Sequence, residues 1–250
     1  MKAQSSSPQG PDLSVVVPVL NEAENIEPLV GEIRSALDGR LSYEIVYVDD
    51  GSGDETPEIL KRTAASLPQF RYVRHRMRCG QSTAMLTGVR SARANWVATL
   101  DGDGQNDPAD IPRLYERLLA HEGNNEGLLV VGYRRKRRDS WLKKVSSRVA
   151  NSVRSRLLKD ETPDTGSGLK LFSRRLFLQL PYFDHMHRFL PALVIRHGGR
   201  VVSVEVNHRE RKHGDSKYGL RNRLWVGIVD MLGVMWLQRR AKVPDIEVKG

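Results

Sequence analysis

The chain has 250 residues, 40 of them Lys or Arg and 30 Asp or Glu, for a formal net charge of +10. With 39% hydrophobic and 28% charged residues it has the composition of a soluble globular protein, which excludes a disordered or fibrous chain. The single cysteine, Cys79, excludes an internal disulfide framework and a multi-cysteine zinc site.

Residues 1–12 lack an apolar core, so they read as a loose tail and not as a signal peptide. A run rich in β-branched residues over 13–19 predicts a buried strand. Asn21 is expected to cap a helix reaching about residue 37, with Glu22, Glu24 and Glu27 near its positive end. A second strand over 43–48 ends in the turn Asp49-Asp50-Gly51-Ser52-Gly53-Asp54, and a helix follows to about residue 67. Strand 70–75, helix 81–93 and strand 96–100 come next. That strand runs into Asp101-Gly102-Asp103-Gly104-Gln105, then a helix over 111–120 and a strand over 128–132.

Beyond residue 133 the pattern is less regular. A basic stretch opens at Arg134 and continues as a helix to about residue 158. Strands are expected over 166–172 and 201–206, a helix over 188–197, a polar basic loop over 208–219 and an apolar helix over 220–240. Alternating strands and helices imply an α/β fold whose mostly parallel sheet is covered on both faces. Its Gly-rich acidic turns all follow strands, so they gather at the carboxyl edge, where open α/β sheets bind ligands.

The charge divides along the same line. Residues 1–133 hold 13 basic and 19 acidic residues, a net of −6, while residues 134–250 hold 27 and 11, a net of +16. An acidic half suits a cation, and a basic half suits phosphates, nucleic acid or an anionic membrane.

Asp101-Gly102-Asp103 is the most informative motif. Two carboxylates on a turn after a buried strand can hold a hard divalent ion such as Mg²⁺ or Mn²⁺, with Gln105 as a third oxygen, and such an ion also binds a diphosphate. Gly102 would let a ligand approach the backbone. The plain alternative is a polar turn with an aspartate capping a helix. At the same edge Asp50 can accept hydrogen bonds from a nucleoside, or else serve, like Asp54, as a cap. Neither G-x-G-x-x-G nor G-x-x-x-x-G-K-[ST] occurs, so the usual dinucleotide and P-loop readings are weak.

Pro18-Val-Leu-Asn-Glu22, Asp49-Asp50-Gly51-Ser52 and Asp101-Gly-Asp103 with Gln105, in this order and spacing, resemble the inverting family-2 glycosyltransferases of GT-A (Rossmann-like) fold. The closer resemblance is to polyprenyl-phosphate sugar transferases of the dolichyl-phosphate mannose synthase type. It extends through Asp164-Thr-Gly-Ser-Gly-Leu-Lys-Leu-Phe172, His187-Arg-Phe-Leu-Pro-Ala-Leu193 and the stretch from Asn207 to Tyr218. It implies that Pro18, Leu20, Glu22, Val48 and Asp50 contact the donor nucleoside. Leu20 stands where a tyrosine is frequent. It further implies that Asp101, Gly102 and Asp103 meet the donor diphosphate and sugar, that Asp103, Gln105 and Asp101 hold the metal, and that Arg134 lies at the transferring centre with Asp101 and Asp103. Arg211 and Lys217 would bind phosphates from a closing loop, and Arg134, Arg137, Arg138 and Ser216 would face the acceptor phosphate and membrane.

The expected organisation is a tail over 1–12, a GT-A catalytic domain over 13–219 and an apolar interface helix with tail over 220–250. Within the domain, residues 13–133 form the donor and metal half and residues 134–219 the acceptor half. The expected reaction moves one sugar from a nucleotide-sugar, GDP-mannose or a UDP-sugar, to a polyprenyl phosphate, with Mg²⁺ or Mn²⁺. The rival readings are transfer to a hydroxyl of a lipid or polysaccharide, and a non-catalytic nucleic-acid-binding protein. Ten Lys/Arg against one Asp over 134–156 favour an anionic membrane surface, and the absence of a stacking aromatic motif disfavours nucleic acid. The longest apolar stretch, 224–237, is shorter than the about 20 residues that cross a bilayer. No spanning helix is expected, and the stretch reads either as an interfacial helix on the cytoplasmic face or as a core or oligomer helix.

Overall fold

The computed structural model describes residues 10–134, 157, 158, 160, 162, 164, 166–207, 209, 220–240 and 242, with side chains of the last helix from 226 onward. The basic helix expected over 134–158 lies outside them apart from Arg134, which ends a strand, and residues 157 and 158; Arg137, Arg138, Arg211, Ser216 and Lys217 lie outside them too.

One seven-stranded sheet organises the chain. In chain order its elements are β1 (Leu13–Val19), α1 (Ala23–Leu37), β2 (Tyr43–Asp49), α2 (Thr56–Ser66), β3 (Phe70–Arg74), α3 (Gln81–Ser91), β4 (Trp96–Thr99), α4 (Ile111–Leu119) and β5 (Leu128–Arg134). Then follow β6 (Lys170–Ser173), α5 (Arg174–Gln179), α6 (Leu190–Arg196), β7 (Arg200–Val206) and α7 (Leu220–Arg240). The strand order is β3-β2-β1-β4-β6-β5-β7. Only β6 runs against its neighbours; the pairs β1–β2, β1–β4, β2–β3 and β5–β7 are parallel.

The period-2 alternation of the strands builds two cores. Val15, Val17, Val19, Ile45 and Tyr47 point to one face, under Ile26, Leu29 and Ile33 of α1, Leu60 of α2 and Leu114 and Leu118 of α4. Val16, Val46 and Val97 point to the other, under Met85 and Val89 of α3, Phe177 of α5, Leu193 of α6 and Val234 of α7. Strands buried on both faces read as continuous apolar runs, which is why β1 and β2 stand out in the sequence.

Four local expectations change. Asn21 does not cap α1: the helix starts at Ala23 with no side-chain cap, and Asn21 adopts a left-handed φ of 51°. The strand expected over 166–172 begins only at Lys170, because residues 166–168 pass over the neighbouring Asp101 turn. The helix expected over 188–197 is a 3₁₀ turn, Met186–Arg188, followed by the shorter α6. Helix α5 was not foreseen. It is six residues long, too short to show a period; Ser173 Oγ caps it by accepting from Leu176 N at 3.0 Å, and Phe177 stacks on Phe172 at 5.0 Å.

Candidate active site

The register sets the site. Pro18 pairs with Val48 and Val19 with Asp49, so the turns after β1 and β2 lie side by side at one edge. They are stapled together: Asn21 N donates to Ser52 Oγ (2.8 Å), Gly53 N to Asn21 Oδ1 (2.9 Å) and Glu22 N to Thr56 Oγ1 (3.0 Å). Glu22 also accepts from Asn25 Nδ2 at 2.7 Å. Pro18 is buried, Leu20 and Glu22 half-buried, and Val48 fully buried with its side chain lying toward Gly88 of α3.

Asp50 is 4% exposed and its carboxylate is heavily used. Oδ1 accepts from Cys79 N (2.8 Å) and faces His75 Nδ1 (2.8 Å), while Oδ2 accepts from Gly80 N (2.7 Å). The carboxylate thus holds the loop that leads into α3, and the open side of this cluster lies beside the stapled turns.

The β4 turn is the chemical centre. Asp101 N donates to Asn106 Oδ1 (3.2 Å), and Asp101 Oδ1 accepts from Gln81 Nε2 (2.9 Å) at the start of α3. Gln105 N donates to Asp103 Oδ1 at 3.1 Å, which folds the turn back on itself. Gly168 lies over this turn so closely that a Cβ there would overlap Asp101 Oδ2 and sit 2.6 Å from Asn106 Oδ1. Only glycine allows that approach. Gly102 has a similar need: its Cβ would fall 2.5 Å from Val19 Cγ1 and 3.2 Å from Pro18 O. The missing side chain there is required by β1, a packing reason the sequence did not reveal.

Burial and the neighbouring Asp103 charge push the Asp101 carboxyl up to about 6, against the opposing pull of Lys170, Arg134 and the Gln81 hydrogen bond. The desolvated Asp101 carboxylate beside the Asp103 charge leaves excess negative charge on the turn, and a divalent ion relieves it. The donor set is all hard oxygen, so the turn fits Mg²⁺ or Mn²⁺.

Arg134 stands at the end of β5 with its side chain 12% exposed. It forms a two-pronged pair with Asp164, Nε to Oδ2 at 2.5 Å and a second guanidinium nitrogen to Oδ1 at 3.0 Å. Its positive charge pulls the pKa of Asp101 down, against the burial and the Asp103 charge that raise it. Lys170, 2% exposed, donates to Ser167 O beneath the same turn.

Sequence reasoning missed several contributors. Gln81 and Asn106 orient Asp101 from outside any motif, and Lys170 supplies buried charge from within the Asp164–Phe172 motif, to which no role was attached. His187 pairs with Ser82 Oγ at 2.8 Å; burial and the charges of Lys170, Arg188 and His185 push its pKa down to about 3. Arg209 binds Glu32 of α1 through two bonds of 2.9 and 2.8 Å. It also donates to Asn106 O (2.9 Å) and, from its backbone N–H, to Gln105 O (3.1 Å). The stretch after β7 is thereby clamped onto the Asp101–Gln105 turn. A basic residue in a polar loop gives no sequence signal for that job.

Residues 14–180 match the Glycosyl transferase family 2 domain. The chain is 36% identical over 239 residues to dodecaprenyl-phosphate galacturonate synthase of Rhizobium johnstonii, covering 92% of this chain and 68% of that protein. It is 36% identical over 212 residues to undecaprenyl-phosphate 4-deoxy-4-formamido-L-arabinose transferase of Edwardsiella ictaluri, covering 83% of this chain and 63% of that protein. The chain therefore spans about two thirds of the length of these curated relatives. Among solved structures, glucosyl-3-phosphoglycerate synthase from Mycobacterium tuberculosis in complex with Mn²⁺, UDP and phosphoglyceric acid superposes with a TM-score of 0.67 at 20% identity. That match covers 94% of this chain and 80% of the other. The same enzyme with Mg²⁺ and UDP gives 0.66 at 21% identity, covering 94% and 81%. These two likenesses establish the fold. The carboxylate-bearing sheet edge, the domain match and the named relatives together identify the chain as a glycosyltransferase of family 2, with a GT-A-like fold.

Proposed function

We propose that the chain transfers one sugar from a nucleotide-sugar to a polyprenyl phosphate, with inversion at the anomeric carbon, at a membrane surface. The observation that carries the reading is the Asp101–Gln105 turn, with its two carboxylates and the desolvated Asp101, lying beside the stapled turns at the sheet edge. The two polyprenyl-phosphate sugar transferases among the relatives support the same acceptor class.

In this reading residues 13–133 form the donor half. Pro18, Leu20, Glu22, Val48 and Asp50 line the nucleoside side, Val48 through its backbone alone because its side chain is buried. Asp101, Asp103 and Gln105 hold Mg²⁺ or Mn²⁺, which when bound neutralises the leaving diphosphate. Gln81 fixes the orientation of Asp101, and Gly168 shields it from water. Residues 134–219 form the acceptor half. Arg134, oriented by Asp164, directs positive charge at the transferring centre, and Arg211 and Lys217 share the charge of the departing diphosphate.

A monoalkyl phosphate has its second pKa near ~6, so at neutral pH the acceptor is already mostly dianionic. It needs orientation and charge screening more than a general base, whereas a hydroxyl acceptor would need one. The donor is GDP-mannose or a UDP-sugar. The decisive experiment incubates the protein with radiolabelled nucleotide-sugars, undecaprenyl or dolichyl phosphate, and Mn²⁺ or Mg²⁺. A metal-dependent lipid-phosphate sugar that vanishes in Asp103→Ala is the expected result. No such product with any donor would refute the acceptor assignment, and full activity in Asp103→Ala would refute the metal assignment.

A further inference from the structure

Asp50, His75 and Cys79 lie outside the Asp101–Gln105 turn, and their ligand atoms all fall within 4.8 Å of one another. The three donors are a carboxylate oxygen, an imidazole nitrogen and a thiol. That set differs from the all-oxygen turn in kind: it is nitrogen and sulfur chemistry, which selects Zn²⁺-class cations over Mg²⁺.

The surroundings are built as a ligand shell would need. His75 is 13% exposed at its side chain, and while Nδ1 faces Asp50, Nε2 sits 2.9 Å from Thr87 Oγ1 on α3. A ligating imidazole requires a partner for its second nitrogen to fix tautomer and ring angle, and the Thr87 hydroxyl can accept that proton. Asp50 is anchored by two backbone amides, Cys79 N and Gly80 N, so one oxygen can turn to a cation without freeing the carboxylate. Cys79 is exposed, and its thiol donates only to Met77 O at 3.3 Å, a weak contact that a side-chain rotation releases. Ligand atoms around tetrahedral zinc stand about 3.3–3.8 Å apart, given bond lengths of about 2.0–2.3 Å. To reach that size the Asp50 Oδ1–His75 Nδ1 pair, now 2.8 Å apart, has to open by about 0.5 Å, and the Cys79 thiol, within 4.8 Å of both, has to turn inward. Three protein ligands leave the fourth position open to solvent.

We propose that Asp50, His75 and Cys79 form a binding site for a soft divalent cation of the Zn²⁺ class, and that its occupation excludes the donor nucleotide. The second half rests on the nucleoside role of Asp50 proposed above; the first does not. Binding would replace the His75–Asp50 hydrogen bond by two metal bonds, release the thiol proton to solvent, and leave the neutral imidazole with its single proton on Nε2, toward Thr87 Oγ1. Nucleotide and soft cation then compete for one carboxylate, while Mg²⁺ at the Asp101–Gln105 turn is unaffected.

Cys79 is the only cysteine in the chain, so a thiolate signal can come from nowhere else. The test titrates Co²⁺ into the full chain in excess Mg²⁺ and follows the near-ultraviolet thiolate-to-cobalt charge-transfer band, then displaces Co²⁺ with Zn²⁺. The expected result is one Co²⁺ per chain with the band present. His75→Ala should weaken Zn²⁺ binding at least tenfold, and Thr87→Val about tenfold through the lost support. Cys79→Ser should lose the band and the tight Zn²⁺ binding while keeping transferase activity. Absence of the band at micromolar Co²⁺, or unchanged Zn²⁺ affinity in Cys79→Ser or His75→Ala, overturns the site. Adding UDP or GDP with Mg²⁺ should raise the apparent Co²⁺ dissociation constant at least tenfold. Cobalt binding indifferent to both nucleotides would keep the metal site and overturn the exclusion, together with the nucleoside role of Asp50.

Discussion

Gly168 shows how much can depend on a side chain that is absent. The segment over the Asp101 turn has no room for a methyl group, since a Cβ would run into Asp101 and Asn106. Gly168→Ala must therefore move the segment or the carboxylate. Overpacking of this kind costs about 1–3 kcal/mol. The larger consequence is expected in ligand binding: calorimetry with Mn²⁺ and a nucleotide should show affinity reduced at least tenfold, while a thermal melt falls by only several degrees. Unchanged Mn²⁺ affinity would mean that the close approach has no bearing on the metal turn. His187 supplies a residue-scale prediction about pH. Its folded pKa is pushed down to about 3, below the ordinary 6.5, so between these values the unfolded chain binds a proton that the native protein does not. Stability therefore rises with pH through that window and levels above it, with a slope of at most about 1.4 kcal/mol per pH unit from this group. His187→Gln should flatten that part of the Tm-against-pH curve between pH 4 and 6.5. An unaltered slope would show that His187 does not titrate on unfolding.

At the scale of elements, β1, β2 and β4 and the helices between them are legible because each strand is apolar on both faces and each turn is polar. The candidate acidic residues followed from those turns. What the sequence concealed has a common cause: the information is non-local. Asp230 looks like an interruption of an apolar helix, yet its carboxylate meets His185 Nδ1 at 3.0 Å, 45 residues away. Gln81 reaches the Asp101–Gln105 turn from a helix that carries no motif, Arg209 reaches it from a polar stretch whose resemblance assigned it no role, and α5 is too short to be periodic. Glu44 is another such case. It starts near the far end of β2, is 5% exposed, and gathers Ser14 Oγ (2.6 Å), Arg93 N (2.6 Å) and Arg71 (2.7 Å). Those hydrogen bonds and the Arg71 charge overcome its burial and hold the carboxyl below its ordinary value. Without Glu44 the buried Ser14 hydroxyl and the Arg93 amide lose their acceptor, which costs about 1–3 kcal/mol, while Arg71, 29% exposed, keeps access to solvent. Glu44→Ala should lose that much in urea unfolding, while the variant keeps its nucleotide affinity at low temperature, since the network lies at the opposite edge from the site. A loss below about 1 kcal/mol would mean that the pair is a surface ornament.

For the whole molecule, the proposed lipid-phosphate acceptor raises the question of how the chain meets a membrane. No helix among the described residues is long and apolar enough to cross a membrane. Helix α7 instead divides its surface. Val234 is fully buried, and Met231, Met235 and Leu237 pack against the second core, which docks the helix on the catalytic domain. On the other side Val229, Leu232 and Trp236 are 64%, 57% and 58% exposed, and their spacing of three and four residues aligns them as one stripe. Arg240 lies 5.9 Å from the Trp236 ring, an aromatic and a cation together as at a headgroup boundary. The core-helix reading of this stretch thus describes one of its faces, and the interfacial reading is a proposal for the exposed stripe on the other. Burying a leucine-sized side chain contributes about 1.5–3 kcal/mol, and each nearby basic residue about 1 kcal/mol on an anionic surface. Together the two contributions can hold a surface helix on an anionic membrane. Leu232→Ser combined with Trp236→Ser should therefore weaken sedimentation with phosphatidylglycerol vesicles at least tenfold at any salt concentration. Raising salt should weaken the wild type through its basic residues alone. The thermal melt should not change, because both side chains face outward. Retained vesicle binding in the double variant, with loss of self-association in the ultracentrifuge, would assign the stripe to a protein interface instead.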